Sequence, residues 1–233
     1  MLDLGIAGRR AIVCASSRGL GKACARALAR AGVAVVVNGL DEARLEATAA
    51  ELARETGAEI TAVAADVTTR AGQAKLLAAL PDPDILVTNA GGPPFKDFRE
   101  LSREAILTGV TWNMVTPIEL IQATIDKMVE RRFGRVVNIT SISVRMPVQG
   151  LDLSSGARAG LTAFLAGVAR SVAHAGVTIN NVLPGFFEAT VPARRIGDPQ
   201  ELGDACAFLC SARAGYITGQ NLLLDGGLFN SAF

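Results

Sequence analysis

The sequence predicts an α/β protein in which one parallel sheet is covered by helices on both faces. Short β-branched and apolar runs alternate along the chain with longer Ala- and Leu-rich segments of helical periodicity. These short runs are apolar almost throughout rather than at every second position, which is typical of strands buried on both faces. The helical segments between them supply the crossovers that parallel strands need. We therefore expect a doubly wound domain with seven strands.

Taken in order, the predicted strands cover residues 11–14, 33–38, 59–65, 84–89, 135–140, 177–183 and 221–226. Helical segments such as "LGKACARALARAG" and "DEARLEATAAELARETG" lie between them. Asp41 and Asp198 stand where they can cap the helices that follow, and Gly32 and Gly57 stand where helices should end. No linker, repeat or low-complexity tract interrupts the pattern, so we predict a single domain over residues 1–233.

The composition of the chain excludes some classes of binding partner. Of the 233 residues 50% are hydrophobic and 19% are charged, and the net charge is +1 with scattered cations. We expect no nucleic-acid partner and no anionic membrane partner. No membrane span or signal sequence is predicted, which indicates a cytoplasmic protein. The cysteines Cys14, Cys24, Cys206 and Cys210 form no CxxC pair. Metal or disulfide use stays open, but buried packing is the preferred interpretation, and no metal site is predicted.

The stretch "CASSRGLGKACA" joins the first strand to the first helix. Gly19 and Gly21 let the backbone come close to a pyrophosphate, and the helix N-terminus offers unpaired N–H donors and the positive end of the dipole. Tight strand-to-helix turns also select glycine, so two glycines alone are a weak signal. Their position in the first βα unit favours nucleotide binding.

Three further stretches, "TNAGG", "NNVLPG" and "YITGQNLLLDGG", follow the fourth strand, end the sixth strand and close the chain. Together with "CASSRGLG" they make the sequence resemble the short-chain dehydrogenase/reductase family over nearly its whole length. The resemblance implies a Rossmann-type sheet of seven strands, an NAD(P) cofactor and a homotetramer or homodimer built on the long helices.

Cofactor residues follow from this resemblance by motif. The glycine-rich turn would comprise Cys14, Ala15, Ser16, Ser17, Arg18, Gly19, Leu20 and Gly21, with Ala15 in place of the family's first glycine. Asp66 and Val67 would border the adenine. Asn89, Ala90 and Gly91 would line the ribose side of the cofactor, and Pro184 and Gly185 would line the nicotinamide. Asn89 and Asp66 could instead hold strand ends by side-chain hydrogen bonds, and the resemblance implies that the two roles commonly coincide.

The choice of dinucleotide depends on the end of the second strand. An NAD site needs a carboxylate there for the ribose 2′-hydroxyl, and the chain has Gly39 and Leu40 instead. Arg18 matches a basic residue that NADP-dependent relatives often carry, although the second basic residue expected at Leu40 is absent. Asn38 could hydrogen-bond the 2′-phosphate. These residues favour NADP over NAD.

The family's working residues are Asn, Ser, Tyr and Lys, and the resemblance assigns them to Asn113, Ser141, Ser154 and Arg158. Tyrosine is thus replaced by Ser154 and lysine by Arg158. Tyr216, the only tyrosine, belongs to the C-terminal "YITGQ" motif. The lone His174 lies in a helix end, where capping or solvation is expected rather than catalysis.

These replacements keep the positions but lose acidity. A tyrosine, with a pKa of about 10, can be tuned towards neutrality by a neighbouring cation. A serine hydroxyl cannot be tuned so far, and arginine keeps its proton. We expect any redox activity to be mainly reductive, because carbonyl reduction creates an alkoxide that can itself take a proton from water, whereas alcohol oxidation needs a base.

The substrate side is predicted to be open. The lid segment, residues 186–199, is shorter than is usual in the family, so bulky or carrier-bound carbonyl substrates could enter. Val144, Met146, Val148, Phe186 and Phe187 could form an apolar wall, and Thr190 matches a cofactor-touching threonine with a slip of one residue.

Two hypotheses follow: an NADP-dependent carbonyl reductase similar to the 3-oxoacyl-carrier-protein reductase branch, or a non-catalytic dinucleotide-binding regulator. Intact Asn113 and Ser141 favour the enzyme, and the double loss at Ser154 and Arg158 favours the regulator.

Overall fold

The computed structural model describes residues 3–185 and 191–231. Within these ranges the apolar runs pair in one parallel sheet of seven strands, which confirms the predicted fold class. The strands are β1 (Arg10–Val13), β2 (Ala34–Gly39), β3 (Ile60–Ala64), β4 (Ile85–Thr88), β5 (Gly134–Ile139), β6 (Val177–Pro184) and β7 (Asn221–Leu224). Their order across the sheet is β3-β2-β1-β4-β5-β6-β7.

Helices cover both faces of this sheet. They are α1 (Gly19–Arg30), α2 (Glu42–Thr56), α3 (Arg70–Ala79), α4 (Arg103–Val110), α5 (Thr116–Glu130), α6 (Asp152–Val172) and α7 (Pro199–Cys210), with a π-helical turn, Thr111–Val115, between α4 and α5. Leu28, Leu45 and Cys206 belong to the core between the sheet and α1, α2 and α7. Leu76 and Leu165 belong to the core beneath α3, α5 and α6. The strands are therefore buried on both sides, as their continuous apolar character predicts.

The predicted helix limits are found in the structure. The Asp41 side chain accepts a hydrogen bond from the Arg44 backbone N–H at 3.0 Å. Asp198 caps α7 in a reciprocal pair with Glu201. Gly57 ends α2 in the left-handed conformation, with φ of +70°. Local capping chemistry thus fixes where these helices start and stop.

The four cysteines are free and buried, which confirms the packing interpretation. Among the described residues no group of His, Cys, Asp and Glu is arranged to hold a metal ion. No helix in the described part of the chain has the length and apolarity to cross a membrane.

Strand order reverses between β1 and β4, because the chain passes from β1 to β2 and β3 on one side and then returns to β4 on the other. At such a switch point the loops leaving neighbouring strands diverge and open a crevice at the carboxyl edge of the sheet. The residues of the glycine-rich turn and of "TNAGG" lie at this edge. The topology therefore sets the position of the site.

A chain of side-chain hydrogen bonds crosses the other half of the sheet. Thr88 Oγ1 donates to Asn138 Oδ1 at 2.7 Å, and Asn138 Nδ2 donates to Asn181 Oδ1 at 3.0 Å. Asn181 Nδ2 then donates to Asn221 Oδ1 at 2.7 Å. Thr88, Asn138 and Asn181 are all buried. Because buried polar groups are costly when unpaired, this chain fixes the register of β4 to β7.

We expect Asn138→Ala to lower the free energy of unfolding by about 2–4 kcal/mol, since Thr88 and Asn181 both lose a buried partner. Asn221→Ala is the matched control, because Asn221 ends the same chain and is only half-buried. Urea unfolding followed by circular dichroism measures both variants. Equal losses for the two would contradict the role of the buried chain.

Candidate functional site

A cleft of about 550 Å³ lies at the carboxyl edge of the sheet, over the switch point. Eleven of the predicted cofactor residues line it: Ala15, Ser17, Arg18, Gly19, Leu20, Asn38, Asp66, Val67, Asn89, Ala90 and Gly91. They come from the ends of β1, β2, β3 and β4 and from the start of α1. The fold thus brings together segments that are far apart in the sequence.

The turn between β1 and α1 is held very close to the first turn of the helix. A Cβ atom on Gly21 would lie 2.3 Å from the Ala15 carbonyl oxygen, so no larger residue fits at this position. Ala15 itself has φ of +46°. The methyl group at the family's glycine position is therefore accommodated in left-handed backbone, at a cost of roughly 1–2 kcal/mol.

Asn38 has a structural role that differs from the expected one. Its Oδ1 accepts from the Ala15 N–H at 3.2 Å, and its Nδ2 donates to the carbonyls of Val63 and Ala65 at 3.1 and 2.9 Å. The amide is therefore fully used by the backbone of β3 and the turn. The expectation that Asn38 hydrogen-bonds a 2′-phosphate is wrong in this structure, because the side chain has no donor to spare.

Two residues of the predicted turn lie beneath the cleft rather than in it. Cys14 is fully buried, and burial raises the pKa of its thiol to about 12. The Ser16 hydroxyl donates to the Val13 carbonyl at 2.7 Å and accepts from the Asn38 N–H at 2.9 Å. Both side chains hold the turn in place, so neither is available to a ligand.

Arg44 also lines the cleft, on the same side as Arg18. It is not among the predicted residues, because the resemblance places the second basic group directly after β2, at Leu40. Leu40 is 76% exposed. Arg44 is the third residue of α2, and its Nε lies 3.7 Å from Asp41 Oδ2. The signal in the sequence was a basic residue within the first turn of the helix that starts beside the cleft.

A second, much smaller cavity of about 10 Å³ adjoins the cleft, and both are lined by Asn89, Ala90 and Trp112. Asn113 and Arg158 line this cavity as well. Asn113 lies in the π-helical turn, and its Nδ2 donates to the carbonyls of Gly109 and Gly91 at 3.3 and 3.5 Å. Its Oδ1 is buried and has no hydrogen-bond partner among the described residues.

Arg158 and Ser154 form a buried pair on α6. Arg158 Nε donates to Ser154 Oγ at 3.2 Å, and Arg158 Nη1 donates to the Ile139 carbonyl at 2.9 Å. Within the described ranges no carboxylate lies in ion-pair contact with this guanidinium. Burial lowers the pKa of Arg158 to about 10, so the side chain stays cationic at neutral pH.

Ser141 follows β5 two residues after Ile139. Its hydroxyl accepts from the Ser143 N–H at 3.1 Å and caps the short 3₁₀ turn Ile142–Val144. The end of β5 therefore carries both Ser141 and the carbonyl that holds Arg158. Asn113 and Arg158 thus share the small cavity, whereas Ser141 and Ser154 line neither this cavity nor the cleft.

Pro184 and Gly185 line neither cavity, because the end of β6 runs against β7. The Gly185 N–H donates to the Leu224 carbonyl at 2.8 Å, and a Cβ atom there would lie 2.5 Å from Asp225 Cβ. The expectation that they line the nicotinamide stays a prediction. Phe186, Phe187 and Thr190, and with them the first part of the lid segment, lie outside the described residues.

The structure places neither Tyr216 nor His174 beside the predicted catalytic residues. Tyr216 is fully exposed, and His174 is exposed in the 3₁₀ turn Ala173–Ala175. Neither lines the cleft or the small cavity. Val144, Met146 and Val148 are half-buried in the segment that leads from Ser141 towards α6.

Known proteins are similar in sequence to this chain over nearly its whole length. The sequence profile of the family described as "Enoyl-(Acyl carrier protein) reductase" matches residues 14–229. The 3-oxoacyl-[acyl-carrier-protein] reductase of Vibrio cholerae is 33% identical, with 97% of this chain and 99% of that protein covered. The L-rhamnose 1-dehydrogenase (NAD(P)(+)) of Azotobacter vinelandii is 35% identical, with 94% and 95% covered.

Solved structures of other proteins superpose on this chain over nearly its whole length. The L-sorbose reductase of Gluconobacter frateurii, complexed with NADPH and L-sorbose, superposes with a TM-score of 0.93 at 25% identity, covering 99% of this chain and 100% of that one. A 3-oxoacyl (acyl-carrier-protein) reductase of Agrobacterium tumefaciens with NADP bound superposes with a TM-score of 0.90 at 27% identity, covering 97% and 96%. The chain belongs to the short-chain dehydrogenase/reductase family.

Proposed function

We propose that the protein is an NADP-dependent reductase of carbonyl compounds that works with Asn113, Ser141, Ser154 and Arg158. The observation that supports this proposal most directly is that a cleft suited to a dinucleotide adjoins a small cavity lined by Asn113 and the buried Arg158 cation. Relatives described as reductases, including one complexed with NADPH, support this proposal.

The residues of the cleft fit a dinucleotide phosphate. Gly19 and Leu20 line the cleft, so the N-terminus of α1 can receive a pyrophosphate. Arg18, at the start of α1, and Arg44, at the start of α2, supply two cations to the cleft. The nearby Asp41 carboxylate is used in capping α2, so it is a poor acceptor for a ribose 2′-hydroxyl. This charge pattern favours NADP over NAD.

The bound dinucleotide would supply the hydride, and the chain's own residues would manage the charge on the carbonyl oxygen. Ser154 Oγ accepts a hydrogen bond from Arg158, so its own O–H is left to donate. A serine hydroxyl polarised by a buried cation is a charge-assisted donor, and together with Ser141 it would stabilise a developing oxyanion. Arg158 would strengthen the field without giving up a proton.

Water is the proposed proton source. The cavity beside Asn113 has room for a single water molecule, and the unpaired Asn113 Oδ1 and the Arg158 guanidinium are suitable partners for it. An alkoxide is basic enough to take a proton from such a water. Alcohol oxidation would need a group that accepts a proton near neutral pH, and neither Ser154 nor Arg158 does so. We therefore propose a mainly reductive enzyme.

A small or carrier-bound carbonyl substrate completes the proposal. The names of the relatives include both sugar and 3-oxoacyl-carrier-protein substrates.

Exposed apolar side chains on α4 and α6, namely Ile106, Leu107 and Phe164, support assembly into a homodimer or homotetramer. The four free thiols are in keeping with a cytoplasmic location. We propose that residues 1–233 form one functional domain.

The alternative is a regulatory protein that binds a dinucleotide without turnover. It is favoured by the hydrogen bond from Arg158 to the Ile139 carbonyl, since this bond gives the cation a structural use. Substitutions at Ser154 and Arg158 separate the two functions.

The test follows NADPH consumption with a panel of activated ketones, sugars and 3-oxoacyl thioesters. We expect reduction by the wild type, and a loss of about 10- to 1,000-fold in kcat for Ser154→Ala, because one oxyanion donor is removed. Alcohol oxidation at pH 7 should be far slower than reduction. Binding without turnover, rescued by Ser154→Tyr with Arg158→Lys, would contradict the enzyme and support the regulator.

A second prediction concerns the cofactor. Arg18→Ala and Arg44→Ala should each raise the Kd for NADPH by about 5- to 30-fold and leave NADH binding unchanged, because each removes a cation that pairs with the 2′-phosphate. Arg54→Ala is the control, as Arg54 lies exposed near the other end of α2. Calorimetric titration measures all three. Equal losses for NADPH and NADH would exclude a 2′-phosphate role.

A further inference from the structure

Trp112 is the single tryptophan of the chain and holds a position that neither the catalytic set nor the glycine-rich turn explains. It lies in the π-helical turn Thr111–Val115, immediately before Asn113. Its side chain is half-buried. Single π-helical turns inside longer helical runs occur frequently at functional sites.

Trp112 contributes to the walls of both cavities. It lines the 550 Å³ cleft together with Asn89, Ala90 and Gly91, and it lines the 10 Å³ cavity together with Asn113 and Arg158. The indole therefore stands where the dinucleotide cleft meets the catalytic residues. Asn113 is the next residue in the same turn, so the two side chains are held by one piece of backbone.

The indole N–H has no hydrogen-bond partner within residues 3–185 and 191–231. A half-buried indole usually finds such a partner, and here the N–H is a spare donor on a side chain that faces a ligand cleft. A dinucleotide has groups that complement an indole. The rings of a dinucleotide present π-faces to an aromatic side chain, and its hydroxyl and phosphate oxygens accept hydrogen bonds.

We infer that Trp112 is a cofactor-binding residue, whose indole packs against the bound dinucleotide and donates its N–H to a cofactor oxygen. This inference rests on the proposed function, since it requires a dinucleotide in the cleft. It assigns the wall beside Asn113 to the cofactor and not to the substrate. Occupation of the cleft by the cofactor would then also fix the backbone that presents Asn113 to the small cavity.

Trp112→Ala should raise the Kd for NADP⁺ by about 5- to 100-fold, the range for loss of one aromatic stacking partner. Trp112→Phe keeps a ring but removes the N–H, so we expect a smaller increase of about 2- to 10-fold. Phe208→Ala is the control for removal of an aromatic side chain, because Phe208 lies on α7 and lines neither cavity. Titration calorimetry gives the Kd values, and circular dichroism checks the fold of each variant.

Fluorescence provides a direct readout of contact in the wild type, because Trp112 is the only source of indole emission. Saturating NADP⁺ should protect this emission from quenching by acrylamide, since a packed ligand covers the ring. Binding of NADP⁺ by calorimetry without protection, and with an unchanged Kd in Trp112→Phe, would overturn the role of Trp112 and leave the proposed function intact. Absence of any binding to the wild type would overturn both.

Discussion

The organisation of the site depends on one buried cation. Arg158 is only 9% exposed and is held by a serine hydroxyl and a backbone carbonyl, with no carboxylate against it among the described residues. Burying an ionised group without a counter-charge costs several kcal/mol, and two neutral acceptors recover only part of this cost. The lowered pKa of Arg158 reflects the same cost. The burial of Arg158 therefore opposes folding, and the proposed function gives this cation a use in the site.

That use follows from what surrounds the guanidinium. The end of β5 presents the Ile139 carbonyl, α6 presents Ser154, and the π-helical turn presents Asn113 across a cavity of one water. A fixed, buried positive charge favours any reaction in which a nearby oxygen becomes negative. The same charge gives no help to a reaction that must remove a proton. Ser154 and Arg158 can therefore stabilise negative charge but cannot accept a proton near neutral pH, and this is the physical basis of the proposed reductive activity.

Much of the fold follows from the sequence, because its signals are local. Continuous apolar runs mark strands buried on both faces, and Asp41, Asp198 and Gly57 fix helix ends through bonds to residues only a few positions away. The glycine-rich turn is likewise a local feature, and Gly21 is required by an approach within a single loop.

Other parts of the site could not be predicted from local sequence signals, since they depend on contacts between distant segments. The Asn38 amide is a group that can bind phosphate, but the backbone of β3 and of the turn already uses all of its hydrogen-bonding groups. Arg44 becomes a cleft residue only because α2 starts beside α1.

The most direct test is the stability of Arg158→Met, compared with Arg170→Met on the exposed face of the same helix. Urea unfolding at pH 7 should show Arg158→Met to be more stable than the wild type by about 1–3 kcal/mol, because a buried charge is removed without leaving a counter-charge behind. The gain should shrink as the pH rises above about 10, where the folded wild type releases the Arg158 proton while the unfolded chain retains it. Arg170→Met should change stability by less than about 0.5 kcal/mol. A clear loss of stability in Arg158→Met at pH 7 would show that the cation supports the fold, and would contradict its role as a group kept for function.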